Sequence, residues 1–105
     1  MDYQPIIERS VASAIYDKTM TNGDIQIQSD VVSSAISSIS APYIEKQVPV
    51  QGDPMKKLVL QGAITSGSFY VYDYLMGRGT DSYMSYAKKG YATELLVYLY
   101  KMKGY

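Results

Sequence analysis

Apolar positions recur three or four residues apart along much of this chain, and polar residues fill the gaps. From Gln4 to about Met20, Ile7, Val11, Ala14 and Ile15 share one side of a predicted helix. Glu8, Arg9, Asp17 and Lys18 lie mostly off that stripe. Pro5 suits a first helical turn, where its missing N–H costs nothing, and Asn22-Gly23 reads as the stop. Ile25 and Ile27 then alternate with glutamines over residues 24–29, the pattern of a short strand or extended segment.

A second helix is expected from an N-cap at Ser29 or Asp30. Val32, Ala35, Ile36 and Ile39 form its apolar face, and Ser33, Ser34, Ser37, Ser38 and Ser40 fall mostly opposite. Serine is a weak helix former, so this helix needs packing partners. Pro42 is expected to end it. Pro42, Pro49, Pro54 and Gly52 make residues 42–54 read as an extended linker or arm. That divides the chain into an N-terminal helical segment (1–41), the linker, and a C-terminal helical segment (55–105).

Residues 58–76, "LVLQGAITSGSFYVYDYLM", follow a lysine pair and contain a single formal charge, Asp73. Asp53-Pro54 signals a helix start and Gly77-Arg78-Gly79 a stop. Nineteen residues at about 1.5 Å each reach roughly 28 Å, near the hydrocarbon thickness of a bilayer. Lys56, Lys57 and Arg78 flank the stretch, Asp73 is within reach of Arg78, and Tyr70, Tyr72 and Tyr74 crowd one end. Three readings compete. The favoured one is a membrane-associated helix over 58–76; the others are a buried soluble helix and a β-hairpin over 57–76 turning at residues 65–68. The fold class is accordingly mainly α, with an α+β chain as the alternative.

Within that stretch Gly62 and Ser66, and Ala63 and Gly67, form overlapping small-xxx-small pairs, with Tyr70 and Tyr74 one turn further on. Such faces let helix backbones approach closely. Gly62, Ala63, Ser66, Gly67, Tyr70 and Tyr74 are therefore the candidate interface. From Asp81 or Ser82 to about Lys103 a last helix is expected, with Met84, Ala87, Tyr91, Leu95, Tyr98 and Met102 as its stripe. That stripe reads as core in preference to a face lying on an anionic membrane.

Composition removes chemistry more than it adds any. Ten basic residues balance ten acidic ones and no basic stripe stands out, which argues against nucleic-acid binding. Cysteine and histidine are absent, which removes disulfides, Cys/His metal sites, the commonest base and the thiol nucleophile. The glycine clusters lack the lysine of a phosphate loop, and no pair of carboxylates shares an evident context. No catalytic, cofactor-binding or metal-binding residue is assigned, and no small-molecule substrate is expected. Tyrosine supplies 12 residues against one Phe and no Trp, an aromatic set suited to interfaces. The start, Met1 to Pro5, shows no secretory signal, so an intracellular location, or one inside a virion assembled in the cell, is expected. These features together predict a non-enzymatic structural protein packed in a larger assembly or homo-oligomer, with a membrane as a further partner. A minor capsid protein of a virion is one such role. A soluble α+β protein-binding module is the competing expectation.

Overall fold

The computed structural model describes residues 3–21, 23–50, 52–78 and 82–102. They form the helices α1 (Gln4–Thr19), α2 (Ile27–Glu45), α3 (Pro54–Leu75) and α4 (Tyr83–Met102). α1 packs on α2 and α4, and α3 packs on α2 and α4. This is a four-membered ring of antiparallel neighbours. One end of the bundle gathers the start of α1, the end of α2, the start of α3 and the end of α4. No strand occurs among the described residues, so the hairpin over 57–76, and the α+β class with it, is replaced by a single helix.

The local reasons are visible at α3. Asp53 accepts hydrogen bonds from the backbone N–H groups of Met55 (3.1 Å) and Lys56 (3.2 Å), and Pro54 takes the first helical position. At the other end Gly77 adopts φ +66°, with Arg78 N–H donating to Asp73 O (3.0 Å) and Gly77 N–H to Tyr74 O (3.2 Å). That is a Schellman cap, and it needs a residue without Cβ strain at the left-handed position. Asn22, Gly79, Asp81 and Lys103, to which the sequence reading gave stops, a cap and an end, lie outside the described residues.

Two boundaries differ from expectation. Residues 23–26 precede the helix, so the 24–29 segment is extended only in part and α2 begins at Ile27. α2 also runs through Pro42 to Glu45, which leaves residues 46–53 as the connection instead of all of 42–54. Pro42 has no N–H to offer the carbonyl of Ser38, so the helix passes through it at the loss of one hydrogen bond. Burial of Ala41 and a bond from Gln61 Nε2 to Glu45 Oε1 (2.8 Å) hold that last turn in place.

The larger correction concerns which faces meet. The apolar stripes point outward. Ile7 and Val11 are 55% and 54% exposed, and Ile39, Met84, Leu95, Leu99 and Met102 are exposed as well. The interior is lined instead by Ser13, Ser33, Ser34, Ser37, Thr65, Ser66 and Thr93 with small apolar residues, Val97, and the rings of Phe69, Tyr72 and Tyr86. α4's stripe is therefore not core. The inner positions of α2 (Asp30, Ser34, Ser37, Ala41) and of α4 (Tyr86, Gly90, Thr93, Val97) are spaced four, three and four, a bundle seam written in small and polar residues. α3 as a single membrane-crossing helix is also set aside. Among the described residues no helix is long and apolar enough to cross a membrane. In α3 the reason is its inner face, which holds Thr65, Ser66 and Ser68.

Candidate functional site

Small inner side chains bring the helix backbones close. A Cβ built on Gly90 would meet the backbone N and Cα of Ser66 at 2.6 and 2.7 Å. One built on Gly62 would run into the Tyr91 ring. Several inner hydroxyls bond backbone carbonyls one turn back in their own helix. Ser66 Oγ donates to Gly62 O (2.7 Å), Ser68 Oγ to Ile64 O (2.8 Å) and Thr93 Oγ1 to Lys89 O (2.7 Å). These bonds remove most of the cost of burying a hydroxyl. The buried hydroxyls of Ser33 and Ser34 have no hydrogen-bond partner among the described residues.

Two charged layers cross this interior, and each draws on all four helices. In the first, Arg9 of α1 grips Glu94 of α4 through Nε (2.8 Å to Oε2) and Nη2 (3.0 Å to Oε1). Its Nη1 donates to Ser38 Oγ of α2 (3.1 Å). Thr65 of α3 donates to Glu94 Oε2 (3.0 Å) and lies 2.7 Å from Ser37 Oγ of α2. Both charged side chains are buried. A planar guanidinium held in two places by a carboxylate is the geometry in which a buried pair is best satisfied.

In the second layer Lys89 of α4 stands between Asp17 of α1 (2.9 Å) and Asp30 of α2 (2.8 Å). Its ammonium also sits 4.7 Å from the centroid of the Phe69 ring of α3. One half-buried cation thus faces two buried carboxylates, and Asp30 Oδ2 has no hydrogen-bond partner among the described residues. Ser13 and Thr93 hydroxyls, 3.3 Å apart, lie between the layers. The sequence reading found no carboxylates with a shared context; the structure joins Asp17 and Asp30 through Lys89. The signal that would have found them is their position: Arg9, Ser13 and Asp17 are four apart on α1, on the face opposite Ile7, Val11 and Ile15.

A polar cleft of about 600 Å³ opens beside the second layer, at the end of the bundle where α3 finishes. Asp73, Arg78 and Lys89 in its walls are each paired, and Lys88 stands exposed at its edge. Tyr86 OH donates to Asp73 Oδ2 (2.7 Å), Arg78 Nη1 lies 4.0 Å from Asp73 Oδ1, and Lys89 is taken by the two aspartates. Among the described residues no group of three His, Cys, Asp or Glu side chains is placed to hold a metal ion. The bonds in the cleft join α4 to α3 through Tyr86 and Asp73, and to α1 and α2 through Lys89.

The candidate interface residues divide. Gly62 and Ser66 are buried against α4 of the same chain. Ala63, Gly67, Tyr70 and Tyr74 run along the outer side of α3, where a Cβ on Gly67 would meet nothing within 4 Å and Tyr74 is 69% exposed. Tyr70 also meets the Tyr86 ring edge-on at 5.6 Å. This outer stripe continues into Val59 and Val71, and equivalent apolar surface stands on α1, α2 and α4. Comparison of the chain with protein-family models, with curated proteins and with solved structures gave no match.

Proposed function

We propose that this chain is a non-enzymatic structural subunit that works by packing, its outer apolar faces covered within a larger assembly. The observation that carries the reading is the inversion itself: hydroxyls and ion pairs inside, isoleucine, valine, leucine and tyrosine outside. Burial of apolar surface is the main drive to fold in water, and this arrangement leaves much of that surface uncovered. Exposed apolar surface on this scale marks a contact region. The polar clusters fit a holding role, since their members bond to one another across helices. Protein neighbours, further copies of the chain, and a membrane all belong to this class of surrounding. A small subunit that cements a shell, such as a minor capsid protein, is one assembly of the kind.

The test is the state of the purified full chain. Light scattering in detergent-free buffer is expected to show large oligomers, or the chain is expected to need detergent to stay dispersed. A monodisperse monomer in plain buffer removes the proposal and leaves a binding module with one local contact surface. A saturable reaction lost on changing one Asp, Glu, Lys or Ser, with folding intact, removes its non-enzymatic part.

A further inference from the structure

Resting on that reading, we propose that the outer band is covered by the hydrocarbon of a lipid bilayer, entered by the four helices as an assembled bundle. Among the described residues exposed charge is confined to stretches at or near the ends of the bundle axis. α2 carries no exposed charge from Ile27 to Tyr43, and α3 none from Leu58 to Tyr72. Charged residues at mid-height, Arg9 and Glu94, turn inward and pair. The exposed ones, among them Lys18, Lys46, Lys56, Arg78 and Lys101, stand at or near helix ends. Lys88, in the second turn of α4, is close enough to an end for its aliphatic stem to carry the ammonium outward.

The band goes around the molecule. Exposed large apolar side chains occur on every one of the four helices, whereas a protein partner on one side would need them on one or two. Both rims carry exposed tyrosine: Tyr43, Tyr98 and Tyr100 at one end, Tyr70, Tyr74 and Tyr83 at the other. That is where an amphipathic ring meets lipid headgroups. The charge-free stretch of α3, residues 58–72, and the 12 residues of α4 between Lys88 and Lys101 measure roughly 22 and 18 Å at about 1.5 Å per residue, and lysine stems reaching outward extend both toward a hydrocarbon layer of roughly 30 Å. Between α1 and α4 lies an apolar groove of about 210 Å³, whose walls include Ile7, Val11 and Ile15 on one side and Leu96 and Tyr100 on the other. A groove running lengthwise between two helices has the shape of an acyl chain.

Among the described residues no helix is apolar enough to cross alone, because mean hydropathy counts the inner stripe together with the outer one. Once the bundle is closed, Arg9 faces Glu94, Lys89 faces its aspartates, and lipid meets only the outer faces. Interhelical polar contacts and close backbone approach are also the forces that hold helices together where water is absent.

The chain has no cysteine, so single cysteines accept spin labels cleanly. The full chain carries Val11→Cys, Ile39→Cys or Leu95→Cys at mid-height, and Lys18→Cys or Lys56→Cys near the ends. Each variant is checked for unchanged helicity and mixed with phosphatidylcholine–phosphatidylglycerol vesicles. Mid-height labels are expected to collide with oxygen and exclude a water-soluble nickel chelate, and end labels to show the reverse. Mid-height labels open to nickel on floated vesicles overturn the proposal. Labels shielded from both reagents in a detergent-free oligomer that leaves vesicles alone overturn the lipid occupant and leave the structural reading standing. A plain-buffer monomer with every label open to nickel overturns both.

Discussion

Lys89 is the residue on which most of the interior charge depends, because it is the cation shared by Asp17 and Asp30. Lys89→Met would leave two buried carboxylates facing each other, and breaking a buried pair from one side costs about 3–5 kcal/mol. Asp30→Asn is expected to be mild or stabilising, since it leaves one cation with one anion. Chemical denaturation of both variants in the same medium checks the ordering, and equal stability would show that the layer holds nothing. The glycines give a second contrast. Gly90→Ala forces a methyl against the Ser66 backbone and is expected to destabilise by about 1–3 kcal/mol. Gly67→Ala meets open space and gains up to about 1 kcal/mol of helix propensity. Melting temperatures moving in opposite directions would confirm that α3 has one crowded and one open side.

Helix ends are settled by their own neighbours, so their predictions are local. Asp53→Ala removes the acceptor for two backbone N–H groups at the start of α3 and is expected to cost about 1 kcal/mol. Pro42→Ala restores a donor to the last turn of α2 and is expected to stabilise it, by at most about 3 kcal/mol. Amide exchange in that turn should slow accordingly. Faster exchange would mean that proline is holding the turn. The start and stop of α3 were legible because Asp53-Pro54 and Gly77 act through covalent geometry and nearest-neighbour hydrogen bonds. The passage of α2 through Pro42 was not, because Gln61, 16 residues from the bond it makes with Glu45, helps to hold that turn.

For the whole molecule, inversion reverses the usual pattern of tolerance. On the outside of an ordinary water-soluble bundle, Leu→Lys changes stability by about 0.5 kcal/mol or less. Here Leu95→Lys puts a charge in the middle of the apolar band and is expected to abolish association or vesicle binding while helicity persists. Thr93→Leu, two residues earlier on the inner face, is expected to lower the melting temperature instead, because its hydroxyl bonds Lys89 O and its site is fully buried. Circular dichroism together with sedimentation separates the two effects. If Leu95→Lys leaves assembly untouched, the outer band is not a contact surface.

Sequence periodicity determined that there are helices, roughly where they lie, and that each has two unlike faces. Ile7, Val11 and Ile15 against Arg9, Ser13 and Asp17 is such a division, and it follows from the 3.6-residue turn alone. Which face turns inward is a different kind of quantity. A period fixes the angle between two faces and carries no sign, and the ordinary assignment of apolar to inside assumes water on the outside. Here tertiary packing set the sign, through partners the linear chain holds far apart: Arg9 with Glu94, Asp17 with Lys89, Gly90 with Ser66. Close backbone approach needs small inner residues, and most small residues of this chain are its serines, threonines and glycines. With those inside, most of the large apolar side chains are left at the surface.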